Sequence, residues 1–265
     1  MLYTDIYQCE SCSNFLNPSE MGVHNFAGRA PSQTIPVSHF GDIDHAKIWL
    51  ILTNPKGDRN DPNVGHLVSL YDANNRSTLS KVNVEEIFKH FSSYFDRPNV
   101  HQFFAPFMRL LDNLVVAGHH CTFQNGGVCA VDLIKCPTIV DWQQYVRTNE
   151  GKKVWDNCLG RVRAQGSNHF ITRQIQQHQP LVLIFAQSTY GLVGSEYKGN
   201  SQRVLNSAIS LMAGGKYISN VFLLENPKRI SIGLHGTRMM NNCFASPTNM
   251  KALHDTLQHA INKVF

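Results

Sequence analysis

Short, nearly unbroken apolar runs constrain this chain more than any other feature. They cover residues 47–53, 128–134 and 181–185, and each is followed at once by polar or turn-forming residues. Runs of that length suit strands buried on both faces, and they are far too short to cross a membrane. Between them lie patterns with helical spacing, at about 84–95, 102–117, 167–177, 202–212 and 249–264. Two further apolar runs, VFLLE and ISIGL, flank NPKR within 219–234 and read as a hairpin. Helices alternating with continuous apolar strands predict an α/β fold, a three-layer α/β/α sandwich with a short, mainly parallel central sheet. The 265 residues are read as a single domain, with 1–46 a loop-rich N-terminal segment. Parallel sheets bind ligands beyond the carboxyl ends of their strands. The segments to weigh are therefore TNPKGD, DLIKCP, AQSTYG and LHGTR.

The net charge of +5 permits a nucleic-acid partner without requiring one. No basic region followed by an apolar stretch opens the chain, so no secretory signal is expected and the predicted location is cytoplasmic. In that compartment seven cysteines argue for metal ligation over a disulfide framework. Cys9 and Cys12 form a CxxC pair; Cys136 and Cys158 stand alone downstream. One close pair plus two single thiolates suits iron–sulfur or zinc equally well. The plainer alternative is a chance CxxC with the remaining cysteines in the core, where Cys121, Cys129 and Cys243 are assigned.

Four separated segments together resemble the iron–sulfur branch of the uracil-DNA glycosylase superfamily, often called family 4. They are the N-terminal CxxC; the strand ending LTNPKGD; the strand ending DLIKCP, similar to NxVKC in the family; and a later cysteine followed by FITRQIQQHQPLVLIF. A strand ending LHGTR stands in place of the family's HPS loop. The resemblance spans residues 9 to about 240 and implies a 4Fe–4S cluster on Cys9, Cys12, Cys136 and Cys158, with zinc as the alternative metal. It also implies a protein that acts on DNA; a monomer is expected, and the lack of a long apolar run predicts no membrane partner. The spacer from Cys158 to Phe170 is longer than in the family, so Cys158 departs most from the expected ligand pattern.

Excising a base requires extruding it from the stack, stabilising a cationic sugar and a departing base, and holding a water beneath the sugar. By resemblance, Asn54 holds that water, while His235 donates to the base; Asn226 is the second choice for the latter role. The plainer readings are a turn at Asn54-Pro55 and a structural histidine among 13. Asp58 and Asp61 are nearby carboxylates that read as solvated loop residues. Asp132 occupies the position where uracil-specific members carry asparagine. An ionised carboxylate only accepts hydrogen bonds: it repels O4 of uracil and accepts from the N4 amino group of cytosine. Its plainer role is a helix cap or a partner for a lysine. Asn63 and His66 lie where the family has an aromatic wall against the flipped base, which leaves room for a larger base. Lys56, Arg59, Lys228, Arg229 and Arg238 are candidate phosphate contacts, or ordinary surface charge.

Together these departures point to a modified cytosine. The pattern is similar to prokaryotic antiphage glycosylases that remove α-glucosyl-hydroxymethylcytosine, so a monofunctional N-glycosylase acting on modified phage DNA in antiviral defence is the expectation. The alternatives are a uracil-DNA glycosylase of base-excision repair and a zinc-stabilised, non-catalytic DNA-binding protein. Neither GxSxG nor HExxH occurs, which leaves a small-molecule hydrolase without support.

Overall fold

The computed structural model describes residues 2–9, 36–53, 76–136, 146–159, 170–186, 189, 202–205, 218–225, 228–234 and 246–265. In chain order the elements are α1 (Leu2–Tyr7), β1 (Ile48–Leu52), α2 (Lys81–Ser92), α3 (Ala105–Leu111), β2 (Leu114–Val116), β3 (His119–Cys121), β4 (Val128–Asp132), α4 (Asn149–Cys158), α5 (Phe170–His178), β5 (Val182–Phe185), β6 (Gln202–Leu205), β7 (Ile218–Glu225), β8 (Lys228–Leu234) and α6 (Pro247–Asn262). Two compact units form, each from three separated segments. One comprises Met1–His39, Thr53–Ser92 and Asp132–Gln177; the other comprises Phe40–Leu52, Ser93–Val131 and His178–Phe265. Among the described residues no helix is long and apolar enough to cross a membrane.

The central sheet has the order β4-β1-β5-β8-β7-β6. Ile48 pairs with Val182 and Val182 with Ile230, both in parallel. The amides of Lys47 and Ile48 donate to the Gly127 carbonyl, and Ile134 donates to Thr53, so the bonds advance together along β1 and β4 as in a parallel pair. β6, β7 and β8 complete the sheet in antiparallel fashion. The fold is thus α/β with a mostly parallel core, as the alternation of apolar runs and helices implied. Every residue of β1, β4 and β5 is buried, which requires cover on both faces.

One face carries Ile48, Leu50, Val128, Ala130, Val182, Ile184, Ile230 and Ile232 against Phe107, Leu110 and Leu111 of α3 and Leu253, Leu257, Ala260 and Ile261 of α6. The apolar positions of α6 recur at three- and four-residue intervals, so they fall on one stripe. Ser246 caps this helix by accepting from the Asn249 amide, and Pro247 sits in its first turn. Gln258, on the same helix, grips β2 in both directions: its Oε1 accepts from the Val115 amide at 2.7 Å and its Nε2 donates to the Val115 carbonyl at 2.9 Å.

Three local expectations are corrected. The helix expected over 102–117 ends at Leu111, and 114–121 form the β2–β3 hairpin. Asn113 takes a φ of 70°, and the Asp112 carboxylate accepts from the Phe123 amide. Ala117 and Gly118 then turn the chain at φ 49° and 81°, the doubly positive geometry of a tight hairpin. The helix expected from 202 begins instead as strand β6, where pairing with β7 outweighs helical spacing. The N-terminal segment is not wholly irregular, because α1 forms and buries Leu2, Ile6 and Tyr7. The Asp5 carboxylate of α1 accepts from Arg173 at 2.5 Å.

Candidate functional site

Among the parallel strands, the chain leaves β1 for β4 on one side and leaves β5 for β8 on the other. That reversal defines a switch point beyond the carboxyl ends of β1 and β5, the usual place for a ligand crevice in such a sheet. The described run that contains β1 ends at Thr53, Thr189 donates to the Ala186 carbonyl just after β5, and Asn54 follows Thr53 directly in sequence. Asn54, Lys56, Arg59, Asn63, His66, Asn226, His235, Arg238 and Cys12 lie outside the described residues.

Asp132 closes β4 and is fully buried. Neither carboxylate oxygen has a hydrogen-bond partner among the described residues. Most buried polar groups are paired, so an orphaned carboxyl at a strand end requires a reason. Burial pushes Asp132 up to about 7, and the nearby positive charge of Lys135 opposes the rise. Lys135 is itself buried, and its ammonium donates to main-chain carbonyls: to Asp132 at 2.5 Å and to Ser38 at 3.1 Å.

The Ser38 carbonyl also accepts from Gln174 of α5 at 3.1 Å. The Ser38 hydroxyl lies 2.6 Å from the Tyr7 hydroxyl and 2.7 Å from Nδ1 of His39, whose Nε2 contacts Ser92 at 3.0 Å. Tyr3, Phe88 and Phe91 pack around His39. A short polar network inside one unit therefore fixes the backbone on which Lys135 is anchored. Sequence reasoning missed Ser38, His39 and Gln174. Its cue was the plainer role of Asp132 as a helix cap or a partner for a lysine. Lys135 does act on Asp132, but through charge, while the hydrogen bonds given above run to carbonyl oxygens.

Glu225 pairs with Lys228, so the β7–β8 connection sits at the amino end of β8. Lys228 is about 20 Å along the strand from Leu234, taking roughly 3.3 Å per residue. Asn226 belongs to that connection in sequence, whereas His235 follows Leu234 at the carboxyl end. Lys228 and Arg229, both candidate phosphate contacts, stand at the amino end of β8. Lys228 lies over the Phe265 ring at 5.6 Å, while buried Arg229 donates from Nε to the Pro180 carbonyl at 2.6 Å.

Cys9, Cys136 and Cys158 belong to the same unit, at or near the ends of α1, β4 and α4. Among the described residues no three metal-ligating side chains are grouped to hold an ion. The fourth expected thiolate, Cys12, lies outside the described residues. Cys121 and Cys129 are buried in the sheet-bearing unit, as expected of core thiols; Cys243 lies outside the described residues.

No protein-family model matches the chain, and no curated protein sequence matches it.

Proposed function

We propose that this protein is a DNA glycosylase that extrudes a modified cytosine and hydrolyses its N-glycosidic bond, leaving an abasic site. The observation that carries the reading is Asp132: a buried, unpartnered carboxyl at the carboxyl end of β4, in the motif where the resembling family places its base-reading asparagine. The switch point between β1 and β5 is the usual place for a ligand crevice in such a sheet.

In this reading Asn54 holds the water through its side-chain carbonyl and His235 donates to the base O2. Asn63 and His66 leave space for the substituent, and Lys56, Arg59 and Arg238 hold flanking phosphates. The sugar cation needs little nucleophilic help, so an amide suffices to orient water. Glucosylated hydroxymethylcytosine of phage DNA is the proposed substrate and antiviral defence in the cytoplasm the proposed role. A 4Fe–4S cluster on Cys9, Cys12, Cys136 and Cys158 would tie the N-terminal segment to the middle of the chain and contribute folding energy.

A specific observation favours uracil as the second reading. A carboxyl that titrates near 7 is partly neutral, and a neutral carboxyl can donate to O4 while accepting from N3–H. Incubation with DNAs carrying uracil, hydroxymethylcytosine or glucosylated hydroxymethylcytosine, followed by abasic-site detection, separates the readings. Product only from the glucosylated DNA is expected. Product only from uracil would replace the substrate, and no product would remove the activity.

A further inference from the structure

The Asp132 carboxyl combines three properties: complete burial, two oxygens without a hydrogen-bond partner, and a position at the carboxyl end of a parallel strand. Lys135 donates to the carbonyls of Ser38 and Asp132, and neither Asp132 carboxylate oxygen has a hydrogen-bond partner among the described residues. Buried polar groups are ordinarily paired, so a carboxyl in that state is short of a partner. In neutral form it offers a planar pair, one acceptor and one donor. The matching edge of an aminopyrimidine is N4–H beside unprotonated N3.

We propose that Asp132 is the general acid of the reaction, delivering its proton to N3 of the extruded aminopyrimidine so that the base departs uncharged. This rests on the base-excising reading and assigns Asp132 a chemical step beyond recognition. The Asp132 O–H bond breaks and an N3–H bond forms. The C1′–N1 bond then breaks with its electron pair passing to the ring, which leaves as neutral base. Water adds to C1′ and loses a proton to solvent, and the Asp132 carboxylate regains one from solvent once product has left. A base with N3–H already in place, such as uracil, gains nothing from this proton. The neutral acid fits either edge, so it selects by rate.

Burial keeps the proton available near neutrality, and Lys135 is the charged group that acts on Asp132 among the described residues. Lys135 opposes the rise and so holds the carboxyl within the range where it can give up a proton. A general acid is most effective with a pKa close to the working pH.

The discriminating variant is Asp132→Asn. Its amide can still accept from N4–H and donate to N3, so binding is retained while proton transfer is lost. Single-turnover release and DNA binding are measured for both proteins on duplexes carrying one glucosylated hydroxymethylcytosine or one uracil. The expected result is similar binding and release of the aminopyrimidine slowed by about 100-fold or more. Aminopyrimidine release close to the wild-type rate would overturn the acid role and leave the base-excising reading standing. A wild-type protein that releases no aminopyrimidine would overturn both. Should the variant fail to fold, the wild-type pH profile decides: release that falls as pH rises through neutrality supports the acid, and a flat profile overturns it.

Discussion

The Lys135 ammonium lies 2.5 Å from the main-chain carbonyl of Asp132, while both oxygens of the Asp132 carboxylate stay without a hydrogen-bond partner among the described residues. A lysine three residues after an aspartate would ordinarily neutralise it. Here the cation is tied to backbone, and the acid is left for something else.

The first consequence is a pH-dependent stability. Asp132 is raised from 3.8 to about 7 in the folded chain. Between those values the folded state holds a proton that the unfolded state has released, so stability falls as pH rises through this window. The contribution reaches about 4 kcal/mol by pH 8, taking roughly 1.4 kcal/mol per pKa unit. About 2 units of that window lie above pH 5, so urea unfolding at pH 5 and pH 8 should show a loss of about 3 kcal/mol in wild type, and Asp132→Asn should be relatively more stable at pH 8. Identical pH dependence in the two proteins would place Asp132 in a solvated site.

Gln258 and Val115 form a two-way clamp between α6 and β2. Gln258→Ala removes both bonds and leaves the Val115 amide to find water. A destabilisation of about 1–3 kcal/mol is expected from two modest hydrogen bonds, read as a lower denaturation midpoint. Gln258→Glu keeps the acceptor and loses the donor, so it should fall between. Equal stability of all three proteins would mean that solvent replaces the clamp at no cost.

Asn54→Ala tests the proposed water-holding role. Base release should drop by about 100-fold or more, the scale set by losing a positioned polar group at a reacting centre. DNA binding should persist. A variant that releases base at the wild-type rate would remove Asn54 from the mechanism.

Arg229 and Arg59 were equal candidates for phosphate in the sequence. With Arg229 buried against the Pro180 carbonyl, Arg229→Ala should lower stability and leave the salt dependence of DNA binding unchanged. Arg59→Ala should reduce that salt slope by about 1. A change in slope with Arg229→Ala would return it to the interface.

Metal analysis settles the cysteines. Iron and sulfide are expected to accompany the purified protein, and Cys136→Ser should lose both along with part of the stability. Zinc without sulfide would exchange the cluster for a structural ion. A chain carrying neither would leave Cys9, Cys136 and Cys158 as ordinary thiols.

The sheet was legible because its strands are buried on both faces and so are apolar at nearly every position, as at Ile48–Leu52 and Val182–Phe185. The amphipathic terminal helix was legible for a similar reason, since Leu253 and Leu257 recur at helical spacing. The β2–β3 hairpin was not. Leu114–Val116 continues the apolar spacing of the preceding helix, and the turn rests on Ala117 and Gly118, a weaker sequence signal than Asn-Gly. β6 was missed because an edge strand is defined by the backbone it pairs with, and β7 lies beyond it in the chain.

For the site, the sequence by itself determined that a carboxylate, Asp132, stands at the end of an apolar run with a lysine three residues on, because that information is local. Only the tertiary structure decided its chemical state. The Lys135 ammonium meets the Ser38 carbonyl across 97 positions of chain, and Gln174 reaches the same oxygen across 136. Tertiary structure also set Lys228 and Leu234 at opposite ends of β8, with Lys228 paired to Glu225. Residue identity sets which protons and charges are available. Burial and through-space partners set whether a carboxyl is ionised, and no local pattern encodes them.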